Sequence, residues 1–262
     1  MSLIYEPKGK AREYSPLALN IYKGCDHGCG YCYVPKIFGR WGNYNHADVL
    51  TKPDFINELR AEAKKKRGLK HQVLLSFTTD PYCNADAELK VTRTVLEILL
   101  ENQIPVAILS KGGSRCLRDL DLFKQFAGHI KVGASLTFDN AETSLQKEPG
   151  AATPEDRIQA LRTLHENGIE TWVSFEPVII PAQTLNLMHL TSFISHCKIG
   201  KLNHYAGYEK TINWSSFLDD AVTEMRRQNQ QFYIKDDLFA FKNGTILTPE
   251  ERDPDFLNVK PF

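Results

Sequence analysis

The chain has 262 residues, of which 42% are apolar and 24% are charged, and its 32 lysines and arginines balance its 32 aspartates and glutamates. This length can bury one full core of α/β-barrel size, and the balanced charge excludes the overall basic field of a general nucleic-acid-binding protein. No segment approaches the ~18 apolar residues of a membrane-spanning helix, and the first eight residues lack the apolar core of a secretory signal. We therefore expect a cytoplasmic, monomeric protein with no membrane partner.

Apolar patterns predict strands and helices that alternate along the chain. Asp54 is the predicted N-cap of a helix at 55–67. A helix at 154–167 has the clearest end signals, with Thr153 as its N-cap and Gly168 beyond its last turn. The other predicted elements are strands at 17–22, 73–76, 105–109, 131–136, 170–175 and 198–202, and helices at 85–102, 118–126 and 184–195.

This alternation predicts the α/β class and a parallel sheet. Six βα units in about 190 residues indicate a partial (β/α)6 TIM-type barrel rather than a complete eight-unit barrel. We expect an N-terminal extension at 1–14, the barrel at 15–205 and a short C-terminal extension at 206–262. That extension contains a predicted helix at 214–227 and a strand at 231–234 that is a candidate to close the sheet.

The strongest chemical signal is a cluster of cysteines after the first predicted strand. Cys25, Cys29 and Cys32 lie within eight residues, and the chain has only six cysteines in total. Three thiolates on a short glycine-containing loop are typical of an iron-sulfur cluster that keeps one iron open. Closed zinc sites use four ligands, and His27 is the one candidate fourth ligand within the loop. An odd number of cysteines in a chain of this size argues against a disulfide framework.

In parallel barrels, active sites lie at the carboxyl ends of the strands. The polar residues that follow the predicted strands should therefore face one site together with the three cysteines. In strand order, these residues are Thr78, Thr79, Asp80, Tyr82 and Cys83; Ser110 and Lys111; Ser135 and Thr137; Ser174 and Glu176; and Asn203, His204 and Tyr205.

The cysteine motif and its place in the predicted barrel resemble those of a known family. The C-x3-C-x2-C spacing after the first strand of a partial barrel, with Tyr31 before the last cysteine, resembles the radical S-adenosylmethionine (SAM) superfamily. Residues 24–33 are most similar to the spore photoproduct lyase branch. Further matches are Thr79-Asp80-Pro81-Tyr82, Ile108-Leu109-Ser110-Lys111, Arg118-Asp119-Leu120, Ala134-Ser135-Leu136-Thr137, Glu148-Pro149, Arg157 and Gly168.

The resemblance implies a pair of cofactors. A [4Fe-4S] cluster would be held by Cys25, Cys29 and Cys32, and its open iron would take the amino and carboxylate groups of SAM. One electron delivered through the cluster would cleave SAM, and the resulting 5′-deoxyadenosyl radical would abstract hydrogen from a substrate. An electron donor such as flavodoxin or ferredoxin is then the expected partner.

The resemblance also implies roles for single residues in the SAM pocket. Tyr31 matches the aromatic residue that packs on adenine. Lys111 and Ser135 match positions that hold the SAM carboxylate, and a cation with a hydroxyl is what a carboxylate needs. Thr79 matches a hydroxyl position of the same pocket. Asp80 and Glu176, after the second and fifth strands, complete the predicted cofactor-binding set.

The hydrogen donor is where the chain departs from the photoproduct lyase pattern. Where that branch has a donor cysteine, this chain has Phe77. Cys83 lies six residues further on and is a candidate replacement, although a small apolar packing role is equally expected. Tyr33 matches a tyrosine that takes part in hydrogen return in that branch, and Tyr82 is a further catalytic candidate.

Two functions of different class remain open from the sequence. The first is a radical SAM enzyme acting on an unidentified substrate, with a DNA lesion as one candidate. The second is a non-catalytic iron-sulfur or zinc protein that uses the barrel as a structural or redox-sensing scaffold. Release of 5′-deoxyadenosine from SAM distinguishes the two.

Overall fold

The computed structural model describes residues 2–39, 45–203 and 206–262. Its centre is a seven-stranded parallel sheet in which each strand pairs with the next strand of the chain. Within the described ranges no pairing joins the first strand to the last, so the barrel is partial. The strands are β1 (Leu17–Leu19), β2 (Val73–Leu75), β3 (Val106–Ser110), β4 (Ile130–Ser135), β5 (Glu170–Val178), β6 (His196–Lys201) and β7 (Gln231–Ile234).

This topology confirms the predicted α/β fold and partial barrel. The strand expected at the C-terminal end joins the sheet as β7 and pairs with β6. The helices are α1 (Val34–Phe38), α2 (Phe55–Lys65), α3 (Asp86–Leu89), α4 (Val91–Glu101), α5 (Leu120–Gln125), α6 (Ala141–Lys147), α7 (Pro154–Glu166), α8 (Pro181–Leu190), α9 (Ala206–Glu209), α10 (Trp214–Arg227), α11 (Asp236–Phe239) and α12 (Pro249–Arg252), with 3₁₀ turns at Gly9–Ala11 and Gly113–Asp119.

Local chemistry explains where the best-predicted helix begins and ends. The Thr153 hydroxyl accepts a hydrogen bond from the backbone N–H of Asp156 at 3.3 Å, and Pro154 occupies the first helical position of α7. Gly168 follows the helix with φ of +76°, a conformation that costs a glycine little. The predicted cap and end signals of α7 are therefore confirmed.

Three helix predictions need correction. Asp54 has φ of +59° and makes no side-chain cap to α2. The helix predicted at 85–102 is two helices that meet at Lys90, because the turn there brings the N–H of Thr92 to Asp86 Oδ1 at 3.0 Å. The helix predicted at 118–126 is a 3₁₀ turn as far as Asp119, followed by α5.

The N-terminal segment and the C-terminal tail both pack against the barrel. The Glu13 carboxylate accepts hydrogen bonds from Tyr233 Oη at 2.9 Å and from the N–H of Asp236 at 2.7 Å, which joins the segment before β1 to the end of β7. The N–H of Val259 donates to Gln72 Oε1 at 2.8 Å, just before β2 begins. None of the described helices has the length and apolar character needed to cross a bilayer.

Candidate active site

The cysteine loop follows β1 at the carboxyl end of the sheet and bends at two glycines. Gly24 has φ of +87°, and a Cβ added there would lie 2.1 Å from the carbonyl oxygen of Asp48. Gly28 has φ of +64°. Residues with side chains rarely adopt these conformations, so the glycines permit the tight loop. Its three thiols, on Cys25, Cys29 and Cys32, are free and only partly buried.

Contacts with other loops hold the cysteine loop in place. The N–H of Cys25 donates to the carbonyl of His46 at 2.6 Å, and the N–H of Gly30 donates to the carbonyl of Lys147 at 2.8 Å. Thr79 Oγ1 donates to the carbonyl of Gly24 at 2.5 Å. Thr79, predicted as a cofactor contact, thus uses its hydroxyl to support the loop.

Asp26 connects the same loop to the start of α3. Its carboxylate accepts from the N–H of Asn84 at 2.9 Å and from the N–H of Ala85 at 2.8 Å. Gly150 lies against the other side of the loop, where an added Cβ would be 2.3 Å from the carbonyl of Asp26. The loop is therefore packed on both sides and keeps a defined shape.

The thiols lie beside a lysine. Burial raises the pKa of the Cys29 thiol to about 12, and the ammonium of Lys111 opposes this shift. Burial likewise raises the pKa of Cys32, again opposed by Lys111. Burial also raises the pKa of Cys25. Because metal ions bind thiolates, a bound cluster would have to supply the positive charge that keeps these groups ionised.

The side chains of the described residues do not form the ready-made ligand set of a single metal ion. Within the described ranges, no three His, Cys, Asp or Glu side chains gather as the ligands of one metal ion do. An iron-sulfur cluster spreads its thiolates over several irons and accommodates wider spacing. His27 is buried, with Nδ1 3.5 Å from Asp80 Oδ2 and Nε2 3.2 Å from Arg115 Nη1. Both ring nitrogens are engaged, so His27 does not suit the role of a fourth zinc ligand.

Lys111 and Ser135 present polar groups that no neighbour uses. The Lys111 ammonium lies 5.7 Å from the ring centroid of Tyr31 and has no hydrogen-bond or carboxylate partner among the described residues. Ser135, the last residue of β4, is 6% exposed, and its hydroxyl likewise has no partner in the described part of the chain. The residues present therefore fit a ligand that carries a carboxylate.

The Asp80 carboxylate holds the backbone of the loops that carry the predicted site residues. Its Oδ1 accepts from Ser110 Oγ at 2.7 Å and from the N–H of Tyr82 at 2.8 Å, and its Oδ2 accepts from the N–H of Lys111 at 2.7 Å. Both oxygens are used within the protein. Asp80 therefore supports the loops that carry Tyr82 and Lys111. Its direct contact with a cofactor stays a prediction.

Glu176 lies in a separate polar network at the end of β5. Its Oε2 accepts from Lys235 Nζ at 2.6 Å and from the hydroxyl of Tyr14. The Tyr14 hydroxyl also lies 2.7 Å from Ser174 Oγ. Tyr14 was not among the predicted site residues, because nothing in its local sequence places a residue before β1 inside the barrel.

The three candidate catalytic residues have different surroundings. Tyr33 is partly exposed and donates to the carbonyl of Phe77 at 3.0 Å, so it lies beside the position where the photoproduct lyase branch has a cysteine. Tyr82 is fully buried, and its hydroxyl donates to Asp119 at 3.0 Å. Cys83 is 1% exposed and packs in the core.

The catalytic roles of Tyr82 and Cys83 stay predictions, and in this structure both side chains are buried. Both residues follow β2 in sequence, but their side chains turn into the core just before α3. Position in a loop predicts proximity to the site and does not predict side-chain direction. Asn203 bonds to Asp237 Oδ2 at 2.7 Å, whereas His204 and Tyr205 lie outside the described residues.

Two site residues were quoted only for their resemblance and carried no predicted role. Glu148 and Arg157 form a buried ion pair, and the hydroxyl of Tyr31 donates to Glu148. The sequence shows only two charged residues nine positions apart, which is no signal for a buried pair.

A surface cleft of about 400 Å³ between α8 and α10 contains none of the predicted site residues.

Comparison with known proteins gives a family and several relatives. The Radical SAM superfamily model matches residues 19–194. The uncharacterized protein MJ0683 of Methanocaldococcus jannaschii is 35% identical over 171 residues, which cover 62% of this chain and 60% of that protein. The uncharacterized protein Rv2578c of Mycobacterium tuberculosis is 27% identical over 183 residues, 67% of this chain and 53% of that protein. The chain thus spans 60% or less of these relatives.

Solved structures are similar in fold. Spore photoproduct lyase with bound AdoMet and dinucleoside spore photoproduct has a TM-score of 0.65 at 12% identity, covering 88% of this chain and 78% of that one. SuiB of Streptococcus suis bound to S-adenosylmethionine has a TM-score of 0.62 at 14% identity, covering 88% and 53%. The resemblance to photoproduct lyase is thus borne out at the level of the fold. Because the family model covers more than half of its length, the chain belongs to the radical SAM superfamily.

Proposed function

We propose that Cys25, Cys29 and Cys32 hold a [4Fe-4S] cluster and that SAM binds beside it. The observation that carries this proposal is the ammonium of Lys111, which lies next to the thiols and the Tyr31 ring and has no hydrogen-bond partner among the described residues. The two cofactors would supply the reductive cleavage of SAM to a 5′-deoxyadenosyl radical, for hydrogen abstraction from a substrate. We expect a flavodoxin or a ferredoxin as the electron donor.

The residues of the chain bind and orient SAM. Lys111 pairs with the SAM carboxylate, and the hydroxyl of Ser135 donates a hydrogen bond to it. The ring of Tyr31 packs against adenine. Asp80 fixes the backbone of Lys111, and Thr79 fixes the cysteine loop. Preorganised groups of this kind lower the cost of holding SAM in the geometry that the reaction needs.

Loss of one cysteine should have the largest effect on the protein. We expect the wild-type protein, reconstituted anaerobically with iron and sulfide and given SAM and dithionite, to release 5′-deoxyadenosine. Cys29→Ala should lose the cluster absorbance and the product, since two thiolates cannot replace three. Cys197→Ala is the matched control, because Cys197 is fully buried beside Met225 and should retain both signals.

The same experiment tests the non-catalytic alternative. A wild-type protein that builds a cluster but releases no 5′-deoxyadenosine is a redox or structural protein. Full activity in Cys29→Ala would show that the loop is not the metal site. Zinc bound in place of iron would contradict the cluster itself.

A DNA lesion is the first substrate that we propose to test, with a lyase-like reaction. Its support is the dinucleoside spore photoproduct bound by the fold-similar lyase, together with the match of Tyr33 to a tyrosine of that branch. We expect UV-irradiated duplex DNA to bind at low salt with affinity that falls steeply as salt increases, because phosphate contacts release counterions. The absence of any mobility shift at low salt would remove DNA as the substrate.

A further inference from the structure

We infer that Glu148 is a positioning residue for SAM, acting through Tyr31 and Arg157 rather than by contact with the cofactor. This inference rests on the proposed function, because it concerns residues proposed to bind SAM. Glu148 is 1% exposed and follows α6. A carboxylate so deeply buried needs partners for both oxygens.

The two oxygens of Glu148 serve different neighbours. Oε1 accepts from the hydroxyl of Tyr31. Oε2 accepts from Arg157 Nη2 and, at 3.2 Å, from Ser144 Oγ. One side of the carboxylate thus holds the cysteine loop, and the other side is anchored to α6 and α7.

Arg157 extends this anchor to the other proposed SAM contacts. Its Nη1 donates to the carbonyl of Ser135 at 2.9 Å, and its Nε donates to the carbonyl of Ala152 at 2.8 Å. The N–H of Ala152 donates in turn to the carbonyl of Lys111 at 2.9 Å. Glu148 and Arg157 therefore connect all three proposed contacts, Tyr31, Ser135 and Lys111.

The ring of Tyr31 is the most sensitive of these contacts. Its backbone neighbour Gly30 is held by the carbonyl of Lys147, and its hydroxyl is held by Glu148, so the side chain is fixed at both ends. Without the second attachment the ring gains rotational freedom that SAM must remove on binding. Weaker SAM binding is the expected consequence of breaking it.

A similar cluster elsewhere in the chain provides a matched control. Asp86 is fully buried and accepts from the hydroxyl of Tyr22 and from Arg118 Nη2. The chemistry is the same, a carboxylate between a tyrosine and an arginine. No hydrogen bond of this cluster reaches Tyr31, Ser135 or Lys111 within the described ranges.

The experiment measures the SAM dissociation constant of the reconstituted protein and the change that SAM causes in the electron paramagnetic resonance spectrum of the reduced cluster. We expect Glu148→Gln and Tyr31→Phe each to weaken SAM binding by about tenfold, the scale of a hydrogen bond to a charged group. Because both variants remove the contact between Tyr31 and Glu148, the double variant should lose much less affinity than the product of the two single losses. Asp86→Asn and Tyr22→Phe should lower the melting temperature and leave the dissociation constant within about twofold.

Each other outcome counts against the inference. If wild type binds and cleaves SAM while Tyr31→Phe changes neither constant nor spectrum, Glu148 is merely structural. Tyr31→Phe keeps the ion pair, so it decides the question even if Glu148→Gln does not fold. An equal loss of affinity in Asp86→Asn would indicate general destabilisation. A wild-type holoprotein that binds no SAM would overturn the proposed function, and this inference with it.

Discussion

Lysine side chains have opposite surroundings at the two ends of the barrel. At the amino end, Lys131 and Lys198 lie inside the barrel, fully buried on β4 and β6. Their side-chain amines donate to backbone carbonyls, including those of Leu257 and Pro254 in the C-terminal tail. At the carboxyl end, the ammonium of Lys111 has no partner of that kind among the residues described.

This difference in hydrogen-bond partners distinguishes lysines that stabilise the fold from a lysine that is available to bind a ligand. A buried amine whose donors are matched contributes to folding, and removing it leaves carbonyls without partners. An accessible ammonium without a partner contributes little to folding and is free to bind an anion. Identical substitutions at the two ends should therefore produce opposite results, with stability lost at one end and ligand affinity lost at the other.

Removal of the tail should have the largest effect at the amino end. Ending the chain at Asp253 removes the carbonyls bound by both buried lysines and the buried side chains of Leu257 and Val259. We expect a loss of about 5 kcal/mol or more in the free energy of unfolding. Urea unfolding measures this loss.

Ending the chain at Lys260 is the matched control for the truncation. It removes Phe262, which is 37% exposed and stacks on His129, and it keeps both lysine contacts. The expected cost is about 1 kcal/mol. Equal stability of the two truncated chains would show that the tail does not support the buried lysines.

Lys198→Met should be the next most damaging change. Lys198 Nζ donates to the carbonyls of Glu13 at 2.6 Å, Tyr14 at 3.2 Å and Pro254 at 2.9 Å. Methionine fills the space without donating, so three carbonyls lose a partner and we expect a loss of about 3 kcal/mol. SAM affinity of the folded protein should not change, which isothermal titration would verify.

Lys111→Met applies the same substitution at the carboxyl end. We expect unfolding free energy within about 0.5 kcal/mol of wild type, since no bond made by the ammonium is lost. SAM affinity should fall by 10- to 100-fold, about 1.5–3 kcal/mol, as for a hydrogen bond to a charged group. A large loss of stability with unchanged SAM binding would reverse the assignment of the two ends.

The contrast between the ends also explains what the sequence could predict. Apolar periodicity is a local signal, and it predicted α10 at Trp214–Arg227 and β7 at Gln231–Ile234 with the bounds observed. Cysteine spacing is local as well, and it located the proposed metal site. The polar residue Lys111 was predicted because the carboxyl end of every strand in a parallel barrel faces the site.

The amino end could not be predicted in this way. Lys131 and Lys198 are lysines within strands. Their neighbours in the sequence give no sign that they bond to the carbonyls of Leu257 and Pro254, which lie far along the chain. Tyr14 and Glu148 were missed for the same reason. Their roles come from pairings between distant segments, which depend on the whole fold and leave no periodic pattern in the sequence.

The prediction most specific to the amino end is a pH dependence of stability. Burial lowers the pKa of the Lys131 amine to about 7, with partial opposition from the charge of Glu170. An unfolded lysine has a pKa near 10.4, so between these values the unfolded chain binds one more proton and stability rises with pH. We expect wild type to gain about 2 kcal/mol relative to Lys131→Met between pH 7 and pH 9.

The comparison with Lys131→Met measures this contribution together with its effect on two neighbours. Lys198 and His196 face the same space, and burial holds the pKa of each well below its ordinary value. The charge of Lys131 lowers both pKa values further, so the variant also raises them. Urea unfolding of both proteins at steps of half a pH unit measures how the free energy of unfolding of each changes with pH. Parallel curves would mean that the Lys131 amine stays charged in the folded protein, with Leu257 and His196 as sufficient partners for an ammonium. In that case both ends of the barrel hold charged lysines, and only the presence of hydrogen-bond partners separates the stabilising lysine from the binding one.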